Sequence, residues 1–353
     1  MPSTHRPVLP ILVSSLLACL LAACSQPDLT VYCALDQVHS EDLIRRFEAE
    51  TGLSVKAQFD TEATKTVGLV GRIREEHNRT RCDVFWNNEV AHTVALADEG
   101  FFAPYDSPSA ADIPPAFRDP GHRWTGFAAR ARVLIVNTDL MDPAEVGSMY
   151  DVLDPRWKGK CGMARPLTGT TLTHMAALYG VLGEERAEAY VAGIKAANDR
   201  GELDLTSGNA TLMRKVREGA LSFGWTDTDD YYVAKEDGYH VAVVYPDQQG
   251  RDGAPPLGTL VIPNSIALLA AAPHPEAGQR FIDWVLSTRI EGELAASRTM
   301  QIPVRASVPR PAHVPTFGEG GGEGGLKAMA VDFGAVGREL PARQQHLKEL
   351  FVE

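Results

Sequence analysis

Apolar positions recur along this chain in blocks whose period switches between two and about 3.6, the spacings of strands and helices. Leu29 to Ala34 (LTVYCA) is a short β-rich run, and Ser40 opens a helical pattern with Leu43, Ile44 and Phe47 on one face, closed by Gly52. Leu53 to Phe59 alternates as a strand, Val67 to Glu76 reads as a helix, and Cys82 to Trp86 reads as a buried strand. This β-α-β-α-β order predicts parallel strands joined by helical crossovers, a layout in which ligands bind beyond the carboxyl ends of the strands. The first candidate residues therefore follow Ala34, Phe59 and Trp86: Asp36 and Gln37, then Asp60, Thr61, Glu62 and Thr64, then Asn87, Asn88 and Glu89.

A second α/β block follows Val133 to Val136. It has a strand at Gly159 to Ala164, a helix from about Thr171 to Leu182 and a strand at Leu221 to Trp225. Thr168, Gly169, Thr170 and Thr171 precede a helix, so backbone N–H groups and hydroxyls converge on whatever sits at its N-terminus, and Gly208 and Asn209 open another. Trp225 runs into Thr226, Asp227, Thr228, Asp229 and Asp230, where an Asp or Thr could cap a helix, but a succession of polar residues at a strand's carboxyl end favours a site. Gly258 to Ala271 is a long apolar strand region, Pro275 to Leu286 an amphipathic helix, Gly318 to Gly325 a flexible spacer and Ala342 to Phe351 a terminal helix. Two connecting runs, Phe127 to Val136 and Gly258 to Leu268, bracket the second block, and two crossings between two α/β lobes predict a hinge around a cleft.

The N-terminus changes the compartment. His5 and Arg6 precede an apolar stretch from Val8 to Leu21, suited to a signal-peptide core and short for a permanent span. Leu21-Ala22-Ala23-Cys24 looks like the lipobox of bacterial lipoproteins, in which Cys24 would be acylated and become the mature N-terminus. Loss of residues 1–23 removes Arg6 and no acid, so the formal charge of −12 becomes −13, which argues against nucleic acid as a partner. Cys33, Cys82 and Cys161 then remain; they read as small buried side chains, with at most one disulfide among them.

The opening VYCALD, the phrase FEAETGLSVK, the segment DVFWNNEVAHTVALADEGFFAPY, ARPLTGTT, SGNATLMRKVREG and IPNSIALLAAAPHPEAGQRFIDWVLS ending in QIPVR occur in an order that resembles bacterial ABC-transporter solute-binding proteins, closest to their ferric-iron-binding branch. The resemblance implies an α/β, two-lobed periplasmic-binding-protein fold of the class II type, each lobe a mainly parallel sheet with flanking helices, joined by two hinge crossovers. Lobe 1 is expected over 24–130 plus 265–305 and lobe 2 over 131–264, with 306–353 supplying the spacer and a C-terminal helix packing on the lobes. It further implies a monomeric receptor in the periplasm or cell envelope, lipid-anchored through Cys24, that closes on its cargo and presents it to a permease and its ATPase.

In that family Glu89 falls where an acidic metal ligand follows the third strand, while Thr168, Gly169, Thr170 and Asn209 fall where a synergistic anion is held. Ferric iron, the expected cargo, favours anionic oxygens. The relatives' Tyr-Tyr pair is displaced: Asp227 to Asp230 occupy its place, and Tyr231 and Tyr232 come slightly later. The expected metal ligands are thus Glu89, Asp227, Asp229, Tyr231 and Tyr232. Asp36, Asp60, Thr61, Glu62, Asn88, Thr168, Gly169, Thr170, Asn209, Thr226 and Thr228 are expected to contact ligand. Because an acid at Asp227 repels an anion, a metal held by Glu89, Asp227 and Asp229 without an anion, or an organic ligand with an amino group, is a further option. The alternative cargo on the same fold is a small organic or phosphonate-like solute. No catalytic cofactor is expected. An enzyme on a bilobal scaffold is a distant alternative, since G-x-S-x-G, the P-loop and H-E-x-x-H are all missing from the sequence.

Overall fold

The computed structural model describes residues 26–60, 66–250, 255–318 and 325–352. The signal segment, Cys24, Thr61, Glu62 and Thr64 lie outside them. The strands are β1 (Leu29–Cys33), β2 (Val55–Phe59), β3 (Val84–Asn87), β4 (Phe102–Ala103), β5 (Thr125–Asn137), β6 (Cys161–Ala164), β7 (Leu203–Thr206), β8 (Phe223–Asp227), β9 (Val241–Val244), β10 (Val261–Leu269), β11 (Phe317–Gly318) and β12 (Leu326–Lys327). The α-helices are α1 (Gln37–Thr51), α2 (Val67–Glu75), α3 (Ala91–Asp98), α4 (Gly169–Leu182), α5 (Glu184–Asp199), α6 (Asn209–Arg217), α7 (Thr228–Glu236), α8 (Pro275–Val285), α9 (Thr288–Ala296) and α10 (Phe333–Val352).

The main sheet runs β2-β1-β3-β10-β5-β8-β6-β7, with β4 added to β10 and β9 to β5. β1, β2 and β3 are mutually parallel, as are β6, β7 and β8, and β5 and β10 run antiparallel between the two groups. β5 is the joint. Up to Ala131, which faces Val261, it pairs with β10; from Arg132, which faces Asp227, it pairs with β8. The first crossing expected near Phe127 to Val136 is this strand. The second differs from expectation: Val261 to Ile266 already pair with the first half of β5, so the return lies before β10 and a limit after residue 264 would cut through a lobe 1 strand. An apolar strand and an apolar crossing read alike in sequence, and only pairing separates them.

Burial follows the same division in the main, although Ala91 and Ile262 pack in the lobe 2 cluster and Tyr232 in that of lobe 1. One apolar cluster gathers Leu29, Val31, Phe47, Trp86, Phe127 and Phe281 in lobe 1, and another gathers Leu134, Met163, Leu172, Tyr190, Phe223 and Trp225 in lobe 2. Cys33, Cys82 and Cys161 are free thiols and buried, and burial pushes Cys33 and Cys161 up to about 12. The terminal helix is longer than Ala342 to Phe351. It begins at Phe333 and continues through Pro341, whose ring removes one N–H and normally breaks a helix. Packing compensates: α10 lies on both α3 and α4, one from each lobe. At Gly337 a Cβ would overlap Val94 and crowd the Ala91 carbonyl, so glycine permits the close approach. Beyond Pro341, Arg343 pairs with Glu184 at 2.6 Å and His346 with Glu188 at 3.0 Å on the second lobe.

Candidate functional site between the lobes

The carboxyl ends of β3, β6 and β8 converge on one recess. Asn88 lines it from the first lobe; Ala164, Thr168, Gly169, Thr170, Thr171, Gly208, Asn209 and Asp227 line it from the second. It holds about 310 Å³ of non-atom space, part of it open to solvent. α4 and α6 both begin here, and neither Thr168 nor Gly208 spends a side chain on capping, so two sets of helix N-terminal N–H groups face the recess. Gly169 turns the chain into α4 with φ of 57°.

Glu89 is fully buried beside this recess, and its carboxylate is spoken for. Oε2 accepts from Ala91 N at 2.6 Å and from Thr173 Oγ1 at 2.8 Å; Oε1 accepts from Asn87 Nδ2 at 2.9 Å and His92 N at 3.1 Å and lies 2.9 Å from His92 Nδ1. Two carboxylate oxygens offer about four lone-pair directions, and these donors occupy them. Burial alone would push this carboxyl up, but His92, Thr173 and Asn87 outweigh it and hold it below the usual carboxylate range. Glu89 caps α3 and, through Thr173 on α4, ties lobe 1 to lobe 2.

The acids after β8 are arranged differently. One oxygen each from Asp227, Asp229 and Asp230 can be chosen so that all lie within 4.8 Å of one another. Asp227 accepts from Arg132 Nη1 at 2.7 Å, Thr170 Oγ1 at 2.6 Å and Asn209 Nδ2 at 2.9 Å. Arg132 also reaches Thr170 and Thr171 at 3.3 and 3.2 Å. Arg130 places Nε 3.6 Å from Asp229 Oδ2, and Asp36 from the first lobe acts on the same guanidinium. Both arginines are buried on β5, and buried guanidinium groups require such partners.

The structure disperses some expected residues. Tyr232 donates its hydroxyl to His313 O at 3.0 Å, and Tyr231 packs its ring 5.0 Å from Tyr232. Burial pushes both phenols up. Thr226 donates to Asp230 at 2.5 Å, and Thr228 accepts from Ala131 N at 3.1 Å, so both hydroxyls serve the β8–α7 turn and the joint. Asp60 accepts from Leu69 N, in the first turn of α2, at 3.0 Å. Thr168, Gly169, Thr170, Asn209, Asn88 and Asp227 are brought together. Sequence reasoning missed Arg130 and Arg132; the signal was two arginines at i and i+2, hence on one face, within the apolar run AARARVLIV.

The family described as bacterial extracellular solute-binding protein matches residues 42–316. Iron uptake protein A1 of Synechocystis sp. is 27% identical over 310 residues, 83% of this chain and 80% of that protein. The structure of iron-bound HitA from Pseudomonas aeruginosa superposes with a TM-score of 0.77 at 24% identity, covering 90% of this chain and 98% of that one. AfuA from Actinobacillus pleuropneumoniae, with exogenous fructose-6-phosphate bound, superposes at 0.76 and 20% identity, covering 92% and 99%. Those likenesses establish the fold, the two-lobed arrangement of periplasmic binding proteins. With a match spanning most of its length, the chain belongs to the bacterial extracellular solute-binding protein family.

Proposed function

We propose that this chain is a non-enzymatic receptor of an ABC importer that captures ferric iron between its lobes and hands it to a permease served by an ATPase. The observation that carries the cargo is the convergence of Asp227, Asp229 and Asp230 within 4.8 Å at the carboxyl end of β8, with Asp227 lining the recess. Three carboxylates give a hard trivalent cation the anionic oxygens it prefers, and iron-binding proteins among the relatives support the reading. Glu89 and Tyr232 are left out of this ligand set because their polar atoms are hydrogen-bonded elsewhere, and Tyr231 because its ring packs on Tyr232. Anchoring through a lipid on Cys24, a periplasmic or envelope location and a monomeric state belong to the same proposal; among the described residues no helix is long and apolar enough to cross a membrane. The test is metal analysis of protein purified from its native envelope, with titration of the metal-free form using ferric nitrilotriacetate. One iron per chain without a visible phenolate-to-iron band is expected; failure to take iron from that donor would sink the ferric reading.

A second reading rests on the recess itself. Two helix N-termini and the guanidinium of Arg132 border the recess and suit a phosphate or phosphonate group, and AfuA supports it as a fold neighbour with a sugar phosphate bound. Calorimetry with fructose-6-phosphate separates the two: heat with the sugar phosphate and none with iron selects the organic solute.

A further inference from the structure

The two buried arginines of β5 stand on opposite sides of the point where that strand changes lobes. Arg132 faces Asp227 across the β5–β8 register, so both ends of that ion pair belong to lobe 2 and move together. Arg130 faces Ile262 on β10, and its Nη2 donates to Asn264 Oδ1 at 2.9 Å, so it belongs to lobe 1. Asn264 is itself pinned, donating to Ala128 O and, at 2.6 Å, to Gln301 Oε1. Yet Arg130 Nε reaches across the joint to Asp229 Oδ2 on α7 at 3.6 Å, a charge contact longer than a hydrogen bond. That Nε is buried and has no hydrogen-bond partner, although the side chain is only 2% exposed. Burial opposes the charge, but Asp229, Asp227, Asp36 and Asp230 outweigh it and keep the guanidinium protonated.

We propose that Arg130 is the resident counter-cation of the carboxylate cluster, standing in for the cargo when it is absent and weakening its hold when it is present. The proposal rests on the ferric reading of that cluster. A cation on Asp229 and the guanidinium of Arg130 compete for one carboxylate, and like charges at this separation in a buried site repel. Because Arg130 is carried by the opposite lobe, its pull on Asp229 also favours the closed form without cargo. Arg130 is therefore an affinity-determining residue, not a ligand.

The test uses the mature chain and its Arg130→Gln and Arg130→Lys variants, titrated with ferric nitrilotriacetate, with release followed into excess chelator and the cargo-free shape followed by small-angle scattering. R130Q should bind iron at least roughly tenfold more tightly, about 1.4 kcal/mol, and release it more slowly, while R130K keeps the wild-type affinity. A merely structural role predicts weaker binding in both variants. Unchanged or weaker binding by R130Q, with wild-type protein taking iron normally, overturns the proposal and leaves the ferric reading standing. If wild-type protein takes no iron, the ferric reading fails, and the cargo-free shape decides on Arg130: a more open R130Q upholds its pull on Asp229, and an unchanged shape overturns it. Should R130Q not fold by circular dichroism, Asp229→Asn tests the same contact from the other lobe, with the same two outcomes in scattering.

Discussion

The turn after β3 and the turn after β8 look alike as sequence, each an acid-bearing segment leading from a buried strand into a helix, and they do opposite things. Glu89 spends its carboxylate on the N-terminus of its own helix, on His92 and on Thr173 of the facing lobe. Asp227, Asp229 and Asp230 converge instead, with Arg130 and Arg132 beside them. The lesson concerns partners. The acids differ in the kind of partner they meet: Glu89 answers to backbone N–H groups and a hydroxyl of the facing lobe, whereas the acids after β8, although hydrogen-bonded too, gather beside guanidinium groups.

The predictions test this contrast. Glu89→Ala should cost the most stability, roughly 3–5 kcal/mol, because it orphans the Ala91 and His92 N–H groups, Asn87 and Thr173 in a buried site. Chemical denaturation measures it; a variant as stable as wild type but unable to bind cargo would reverse the comparison. The double variant Asp229→Asn, Asp230→Asn should show another balance: a stability loss smaller than that of Glu89→Ala, because Arg130 keeps Asn264, Asp227 and Asp36 around it, and ferric affinity down by roughly a hundredfold, about 2.7 kcal/mol. Titration with ferric nitrilotriacetate reads it, and undiminished uptake would move the cargo elsewhere in the cleft.

Thr173→Val removes one donor between the lobes and leaves Glu89 its other partners, so a loss of about 1 kcal/mol is expected, accompanied by a more open shape in scattering. No change in shape would show that the bond follows closure without supporting it. The smallest effect is in pH. A folded carboxyl held below its unfolded value contributes stability that is present above the ordinary value of 4.5 and is lost as pH falls through the folded one. Wild-type protein should therefore lose stability in acid more steeply than Glu89→Gln, compared by denaturation at pH 7 and below pH 4.5; parallel curves would show that Glu89 has no such role.

Much of the fold was legible because burial imposes periodicity. Strands β1, β2, β6 and β8 lie within two or three residues of their expected places, and Gly52 ends α1 in the left-handed conformation that glycine favours. The recess was legible as well, since Thr168, Gly169, Thr170 and Asn209 sit at helix starts after strands. The Tyr pair was not. A phenol one turn along a helix points wherever that face is buried, and Tyr232 ends against His313, 81 residues away in the chain. Nor was the first half of α10, whose passage through Pro341 depends on two lobes being present to hold it; its second half was expected as a terminal helix.

What the sequence determined by itself is local and periodic: the elements, their order, the two α/β blocks and the polar strand ends, because side-chain spacing along a helix or strand is fixed by backbone geometry. Tertiary structure alone decided which acid is spent and which can serve, and where β5 changes lobes with an arginine on each side. Those outcomes depend on partners more than eighty residues away, Thr173 for Glu89 and Asp227 for Arg132, and no local pattern encodes a contact made across the chain.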